Sequence, residues 1–206
     1  MINIVILISG RGSNMRAVVE ALERNKWPAR IAAVISNRLD AEGLAYAAGR
    51  TIPTSVVESS KFDSREQFDA ALQNEIDRFD PHLVVLAGFM RILSARLVQQ
   101  YEGRMMNIHP SLLPSFKGLA THRQALDAGV KLHGATVHFV TADLDHGPII
   151  AQVAVPVLAD DDEATLGMRI LKQEHHLYPT AIGWFVEGRL TIENGKVLLG
   201  DKPITL

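Results

Sequence analysis

Short apolar runs alternate along this chain with segments of helical periodicity, and this alternation constrains the fold more than any other feature. Five runs have the composition of buried strands: residues 4–8, 31–35, 53–57, 83–86 and 105–108. Four segments between or beside these runs have the period of a helix: residues 15–25, 41–48, 64–78 and 94–101. The pattern predicts an α/β fold with a mostly parallel twisted sheet and helices on both of its faces.

The C-terminal part of the chain has a different pattern. In residues 132–140, Ala135, Val137 and Phe139 alternate with more polar residues, and a turn at 143–148 leads into residues 149–157. We expect two longer, partly exposed strands here that complete the sheet. The acidic residues 160–163 predict the start of a long helix that runs to about Glu187, and Pro179 is expected to kink or interrupt it. Asn194-Gly195 predicts a final hairpin of residues 190–193 and 196–199.

Composition excludes several classes of protein. The sequence has 206 residues and no cysteine, so thiolate catalysis and Cys-based zinc sites are excluded. A formal charge of −2 provides no basic field for nucleic acid or an anionic membrane. The apolar start is short, lacks a basic segment and runs into a glycine turn, which does not fit a signal peptide. We therefore expect one domain over residues 1–206, cytoplasmic, without nucleic-acid or membrane partners.

A glycine loop, residues 9–14, follows the first strand. Backbone N–H groups and the positive end of the next helix can bind an anion at such a place. The dinucleotide fingerprint is incomplete, because Met15 occupies its third glycine position and the second strand does not end in an acidic residue. The P-loop pattern is absent too. Two interpretations remain: Gly12, Ser13 and Asn14 bind one phosphate, or the loop is a tight turn with Ser13 or Asn14 as the helix N-cap.

Polar side chains mark the end of the fifth strand. Asn107 and His109 are two residues apart, so both lie on one face of the strand, and Pro110 then breaks it. Asp145 lies in the turn at 143–148, and a carboxylate beside an imidazole would orient the ring and favour its protonated form. Proton transfer is the chemistry that such a pair suits. Each residue also has a structural interpretation, His109 as a hydrogen-bonded strand-end histidine and Asp145 as a turn former.

Residues 88–93 follow the fourth strand, where an open α/β sheet binds its ligands. Their apolar side chains predict either a pocket for a flat heterocycle or a loop that closes the core. The histidines have no spacing of the zincin type, so we predict no metal site.

Five motifs in order resemble the phosphoribosylglycinamide formyltransferase family, the folate-dependent glycinamide ribonucleotide transformylases. They are residues 4–14, 87–93, 107–114, 121–125 with 133–134, and 143–148, and the similarity extends over nearly the whole chain. The resemblance implies an enzyme of de novo purine biosynthesis. It would transfer the formyl group of its cosubstrate, 10-formyltetrahydrofolate, to the amino group of 5-phosphoribosylglycinamide by direct attack. It further implies small-molecule partners only, no metal, and a monomer or homodimer.

The resemblance also assigns site residues. The catalytic residues would be Asn107, His109 and Asp145. The phosphoribosylglycinamide site would comprise Gly12, Ser13, Asn14, Leu171, Lys172, Gln173 and Glu174. The folate site would comprise Arg65, Met90, Arg91, Ile92, Leu93, Asn107, Thr141, Ala142, Asp143, Leu144 and Asp145. Residues 1–100 would mainly bind the nucleotide phosphate, and residues 101–206 would carry catalysis and folate binding.

Two departures from the family pattern lie outside the catalytic set. Many members have histidine or another polar residue where Ala120 stands, and a second glycine where His146 stands.

Three alternative functions make different demands on the sequence. A formyltetrahydrofolate hydrolase would use similar residues to direct water, but it is expected to carry an N-terminal regulatory domain. A methionyl-tRNA formyltransferase would need a C-terminal domain and a basic surface. A noncatalytic nucleotide or folate binding protein would not need His109 and Asp145 together.

Overall fold

A seven-stranded sheet forms the centre of the computed structural model, which describes residues 1–200. Its strands are β1 Ile2–Ile8, β2 Ala29–Ser36, β3 Thr54–Val56, β4 Leu83–Leu86, β5 Met105–His109, β6 Leu132–Phe139 and β7 Ile149–Pro156. The spatial order is β3-β2-β1-β4-β5-β6-β7. The first five strands are parallel, and β6 is antiparallel to β5 and to β7. The predicted α/β fold with a mostly parallel sheet is confirmed.

Within residues 1–200, six α-helices accompany the sheet. They are α1 Ser13–Asn25, α2 Glu42–Gly49, α3 Arg65–Asp77, α4 Ala95–Gln100, α5 Thr121–Asp127 and α6 Glu163–Val186. The sequence prediction lacks α5, whose buried residues Thr121 and Ala125 give little apolar periodicity to recognise. A 3₁₀ turn at Ser59–Lys61 is likewise new.

The helices cover both faces of the sheet. In β1, Ile4, Ile6 and Ile8 belong to a core with α1 and α6, whereas Val5 and Leu7 belong to a second core with α3 and α4. All five side chains are fully buried. Burial on two faces explains why β1 is a continuous apolar run rather than an alternating one.

The prediction that β6 is partly exposed is wrong. Every residue of β6 after Leu132 is buried, because β5 and β7 pair with its two edges and α6 packs against it. The expectation is confirmed for β7, which lies at the edge of the sheet and has half-buried side chains.

Helix α6 contains Pro179 and is not interrupted there, so of the two expected effects the interruption is wrong and the kink stays a prediction. A proline within a helix removes one backbone hydrogen bond and costs about 3 kcal/mol or more. Here Pro179 is buried with Leu177, Tyr178, Ala181 and Ile182, and burial of this apolar face offsets that cost. The helix begins as predicted at its acidic residues, with a capping box between Asp162 and Thr165.

The predicted hairpin is confirmed as β8 Leu190–Glu193 and β9 Lys196–Leu199. Asn194 and Gly195 both have left-handed backbones, with φ of 50° and 74°, as a type I′ turn requires. No helix within residues 1–200 has both the length and the apolar character to cross a membrane.

Candidate active site

His109 and Asp145 lie together at the carboxyl edge of the sheet. His109 is the last residue of β5, and Asp145 belongs to the turn that joins β6 to β7. The ring nitrogen Nδ1 of His109 is 3.5 Å from Oδ1 of Asp145, and both side chains are 7% exposed. Asp145 has a left-handed backbone, with φ of 49°. The structure thus brings the two residues together, as the sequence analysis expects.

The other nitrogen of the His109 ring contacts the backbone of the loop that follows β5. Nε2 is 3.0 Å from the carbonyl oxygen of Phe116, and a carbonyl can only accept, so Nε2–H is the donor. Oxygen acceptors therefore face both ring nitrogens, an arrangement in which each nitrogen can hold a proton. Phe116 contributes through its backbone, which no side-chain pattern in the sequence could indicate.

The same loop also contacts Asp145. The backbone N–H of Gly118 donates to Oδ2 of Asp145 over 2.9 Å, while the other carboxylate oxygen faces His109. Gly118 has a φ of 77°, which favours glycine. Both oxygens of Asp145 thus have a partner, and the carboxylate is held in one orientation.

Asn107 is oriented by His138, a residue that the sequence analysis does not assign to the site. Nδ1–H of His138 donates to the Phe139 carbonyl over 2.9 Å, and this leaves Nε2 as an acceptor. Nε2 lies 3.3 Å from Nδ2 of Asn107 and receives one of its protons. Burial lowers the pKa of His138, which keeps the ring neutral and able to accept. The only indication in the sequence is that β6 ends near Asp145.

Two more histidines lie behind His109. His133 is fully buried, and its Nε2 is 3.4 Å from Nδ1 of His122. Burial, followed by the charges of His122 and His109, lowers the pKa of His133 to about 4. Burial also lowers the pKa of His122. Both rings are therefore neutral near pH 7.

The glycine loop ends in Gly12, which has a left-handed backbone and is the N-cap of α1 without any side-chain cap. The alternative in which Ser13 or Asn14 is the N-cap is therefore wrong. A first turn without a side-chain cap leaves backbone N–H groups free to bind an anion. The geometry favours the phosphate interpretation of the loop.

Asn14 joins the glycine loop to α6. Its Nδ2 donates to Oε2 of Glu174 over 2.7 Å, and Oδ1 of Asn14 is buried without a hydrogen-bond partner. Burial raises the pKa of Glu174, and the hydrogen bond from Asn14 partly opposes this. An amide and a carboxyl group thus meet at the position that the resemblance assigns to the substrate.

The other three substrate-site residues assigned to α6 differ in their exposure and in the side of the helix on which they lie. Leu171 is half-buried and lies one turn before Glu174, on the same side of the helix. Gln173 is half-buried, and Lys172 is exposed. Because successive residues are about 100° apart around a helix, Lys172 lies about 160° from Glu174. Lys172 is thus not brought to the Asn14–Glu174 contact.

The segment after β4 offers an apolar surface near the loop ends. Met90 and Ile92 are 65% and 60% exposed, whereas Leu93 is buried and faces the core. The hydroxyl of Ser9 accepts the Met90 N–H over 2.8 Å and so ties this segment to the end of β1. A cleft of about 560 Å³ adjoins Met90 and Arg91. Leu93 can contribute only through its backbone.

The remaining residues assigned to folate lie on α3 and on the turn between β6 and β7. Arg65 begins α3, and the Arg91 guanidinium lies 5.5 Å from the ring centroid of Phe68 in the same helix. The Thr141 hydroxyl donates to the Asp143 carbonyl over 3.3 Å. Ala142, Asp143 and Leu144 are exposed. Within residues 1–200 no three His, Asp or Glu side chains are grouped to hold a metal ion.

Three comparisons with known proteins agree in finding formyltransferases as relatives of this chain. The profile of the formyl transferase family matches residues 2–182. The phosphoribosylglycinamide formyltransferase of Escherichia coli K12 is 52% identical over 201 residues, 97% of this chain and 95% of that protein. Glycinamide ribonucleotide transformylase 1 of Symbiobacterium toebii superimposes with a TM-score of 0.94 at 47% identity, over 98% of this chain and 95% of that one.

A formyltetrahydrofolate deformylase of Pseudomonas syringae also has this fold. Its TM-score is 0.90 at 29% identity, and the match covers 97% of this chain but 66% of the deformylase. The matches to these two transferases thus cover nearly the whole of both chains, whereas the match to the deformylase does not. This chain belongs to the formyl transferase family, among the phosphoribosylglycinamide formyltransferases.

Proposed function

We propose that the protein transfers the formyl group of 10-formyltetrahydrofolate to the amino group of 5-phosphoribosylglycinamide. The products are formylglycinamide ribonucleotide and tetrahydrofolate, a step of de novo purine biosynthesis. One observation carries the proposal: the His109–Asp145 pair lies at the carboxyl edge of the sheet, with Asn107 on the same face of β5 and with the glycine loop and the Met90 segment following neighbouring strands. The identity of 52% to the E. coli enzyme supports the same reaction.

The chemistry is a direct acyl transfer. The neutral amine attacks the formyl carbon and forms a tetrahedral oxyanion, and the bond from that carbon to the folate nitrogen then breaks. The attacking nitrogen loses a proton, and the departing nitrogen gains one. Hydrogen-bond donors that are already oriented stabilise the oxyanion most effectively, since they need no reorganisation during the reaction.

Asn107 and His109 are the proposed oxyanion donors. The Asn107 amide is oriented by His138, so its second N–H is free to point at the substrate. The Phe116 carbonyl now accepts from Nε2 of His109, and we expect the formyl oxygen to replace it there. Asp145 would keep His109 oriented, or order a water that relays the proton between the two nitrogens.

We assign the two substrates to opposite sides of this centre. Gly12, Ser13 and Asn14 would bind the phosphate, and Glu174 with the unpartnered Asn14 oxygen would accept hydrogen bonds from the glycinamide end. Met90, Ile92 and Leu144 would contact the pterin, and Arg65 and Arg91 would lie near the anionic part of the folate. In this assignment residues 1–100 bind mainly phosphate, although the Met90 segment already belongs to the folate site.

Three further expectations stay predictions. They are a cytoplasmic location, the absence of nucleic-acid and membrane partners, and a monomeric or dimeric state.

A folate assay tests the reaction. The protein is incubated with 10-formyltetrahydrofolate with and without the ribonucleotide, and the absorbance of the folate is followed. Turnover that depends on the ribonucleotide is expected. Turnover without it would instead favour the hydrolase, which the fold of the Pseudomonas deformylase keeps as the second candidate. Absence of turnover in both conditions would indicate a binding protein.

Two variants test the catalytic assignment. His109→Ala and Asp145→Ala should fold and bind folate but transfer the formyl group about 10²- to 10³-fold more slowly, the usual cost of losing an oxyanion donor or its orienting group. Circular dichroism and folate fluorescence titration verify folding and binding. Wild-type turnover in either variant would contradict the assignment.

A further inference from the structure

Helix α6 brings no positive charge to the glycine loop. On the side that faces α1, Glu174 accepts from Asn14, and Leu171 is its neighbour one turn away. The cation of this segment, Lys172, is exposed on another side of the helix. A phosphate monoester carries close to two negative charges near pH 7. Its countercharge must therefore come from elsewhere.

Two arginines close to the loop have no carboxylate partner among residues 1–200. Arg11 lies within the glycine loop and is exposed, and Arg16 lies in the first turn and a half of α1. The carboxylates nearest along α1 have other partners. Glu20 accepts from the Tyr46 hydroxyl, and Glu23 pairs with Arg50. Neither Arg11 nor Arg16 therefore forms an ion pair within residues 1–200.

Arg16 is held in place without a hydrogen bond. Its guanidinium carbon is 4.9 Å from the ring centroid of Tyr46, and Arg50 approaches the same ring at 4.8 Å. Nε of Arg16 is buried and has no hydrogen-bond partner. Helical side chains lean towards the N-terminus, and the Arg16 N–H already donates to the Gly12 carbonyl over 2.9 Å. The guanidinium is thus held against Tyr46 of α2, and Arg16 itself lies one helical turn from Gly12.

We propose that Arg11 and Arg16 supply the positive charge that binds the phosphate of the substrate. Arg16 is a preorganised cation that Tyr46 holds beside the first turn of α1, and Arg11 contacts the phosphate from the loop itself. The backbone N–H groups of residues 12–14 orient the phosphate, and the two guanidinium groups provide charge-assisted hydrogen bonds. This inference rests on the proposed function, since it takes the phosphate of that substrate as the ligand of the loop.

Steady-state kinetics of matched variants test the inference. Arg11→Gln, Arg16→Gln and the double variant are compared with Arg24→Gln, which removes an exposed arginine from the last turn of the same helix. We expect each of the first two changes to raise the KM for the ribonucleotide about tenfold, with kcat within about twofold, as for the loss of one charge-assisted hydrogen bond. Arg24→Gln should leave both constants unchanged.

A substrate without phosphate separates binding from structure. With dephosphorylated glycinamide riboside, kcat/KM should be the same in the wild type and in all variants. An equal loss with riboside and ribonucleotide would mean that the arginines act on folding, and the inference would be overturned. Arg16→Lys should restore part of the affinity because it keeps the charge, whereas a purely packing role for Arg16 predicts no rescue.

Inorganic phosphate provides a readout that does not depend on formyl transfer. Its dissociation constant, measured by calorimetry, should increase about tenfold in each variant and more in the double variant. If the wild type fails to transfer formyl groups, the proposed function fails, but this titration still tests the two arginines. Unchanged phosphate affinity in the double variant would overturn the inference, and a change in only one single variant would remove the other arginine from it.

Discussion

Nδ1 of His109 and Oδ1 of Asp145 are 3.5 Å apart in a site where both side chains are almost completely buried. Their other polar atoms are engaged by one loop, through the Phe116 carbonyl and the Gly118 N–H. The imidazole and the carboxylate thus each contact the other side chain and one backbone group of the loop. Removing the charge of Asp145 while keeping its backbone contact isolates what the pair contributes.

We predict that Asp145→Asn lowers kcat about 10²-fold, with a change of about twofold or less in the KM for the formyl donor. Asparagine tolerates the left-handed backbone at this position, where φ is 49°, and its amide oxygen can still accept from Gly118. The oxygen that faces His109 is replaced by an N–H₂ donor, so the negative charge and the acceptor for the imidazole are both lost. Steady-state kinetics measure the effect, and Asp127→Asn, an exposed change at the end of α5, is the control. An equal loss in the control would refute the prediction.

A second prediction concerns the orientation of Asn107. In His138→Leu the Asn107 amide loses its acceptor, so we expect kcat to fall about tenfold while folate affinity stays the same. His138→Gln offers an oxygen to the same amide and should recover part of the rate. Thermal melting establishes that both variants are folded. If leucine and glutamine lower kcat equally, His138 does not act through Asn107.

The contrast between Asn107 and His138 illustrates what the sequence can predict. Asn107 and His109 were recognisable because strand geometry places residues two apart on one face. His138 takes part through the antiparallel pairing of β5 with β6, which sets it directly opposite Asn107. Strand register of that kind depends on the tertiary fold, and one sequence contains little information about it.

There are two further reasons why parts of the site could not be predicted from the sequence, and Phe116, Gly118 and Lys172 illustrate them. The first two residues contact the catalytic pair with backbone atoms, which any residue type possesses. The family resemblance assigns Lys172 as one of residues 171–174, whereas the rotation of α6 about its axis decides which side chains face α1. The rotation is set by the packing of the whole helix against the sheet.

Glu174→Gln should make the protein more stable and bind its substrate less tightly. Because burial raises the pKa of Glu174, its stabilising contribution is complete below pH 4.5, the ordinary value, and is lost as the pH rises through the raised value. At pH 8 the variant avoids a buried charge, and we expect its free energy of unfolding to exceed that of the wild type by about 1 kcal/mol. The KM for the ribonucleotide should increase about tenfold.

Urea unfolding at pH 8 and pH 4 tests this prediction, since the difference in stability should disappear at the lower pH. Glu102→Gln, at an exposed position, serves as the control for a lost surface carboxylate. A variant less stable than the wild type at pH 8 would contradict the assigned effect of burial.

Two glycines of the phosphate loop should respond differently to alanine. Gly12 has a φ of 70°, and an added Cβ would lie 3.2 Å from the Gly43 backbone, so we expect Gly12→Ala to cost about 1–2 kcal/mol of stability. Gly10 has no atom within 4 Å of an added Cβ, and Gly10→Ala should leave stability within about 0.5 kcal/mol of the wild type. Urea unfolding compares the two, and equal costs would be inconsistent with this loop geometry.

The buried histidines behind the site should limit stability in acid. In the folded protein the pKa of His133 is lowered to about 4, mainly by burial, whereas in the unfolded chain it has its ordinary value of 6.5. Stability is therefore complete above pH 6.5 and declines as the pH falls towards 4, because the unfolded chain binds the extra proton. We expect a loss of about 1–3 kcal/mol over this range from His133. Urea unfolding of His133→Leu should show a weaker pH dependence, whereas His176→Gln, at an exposed position, should retain the wild-type slope. Equal slopes in the wild type and His133→Leu would exclude His133 as the source.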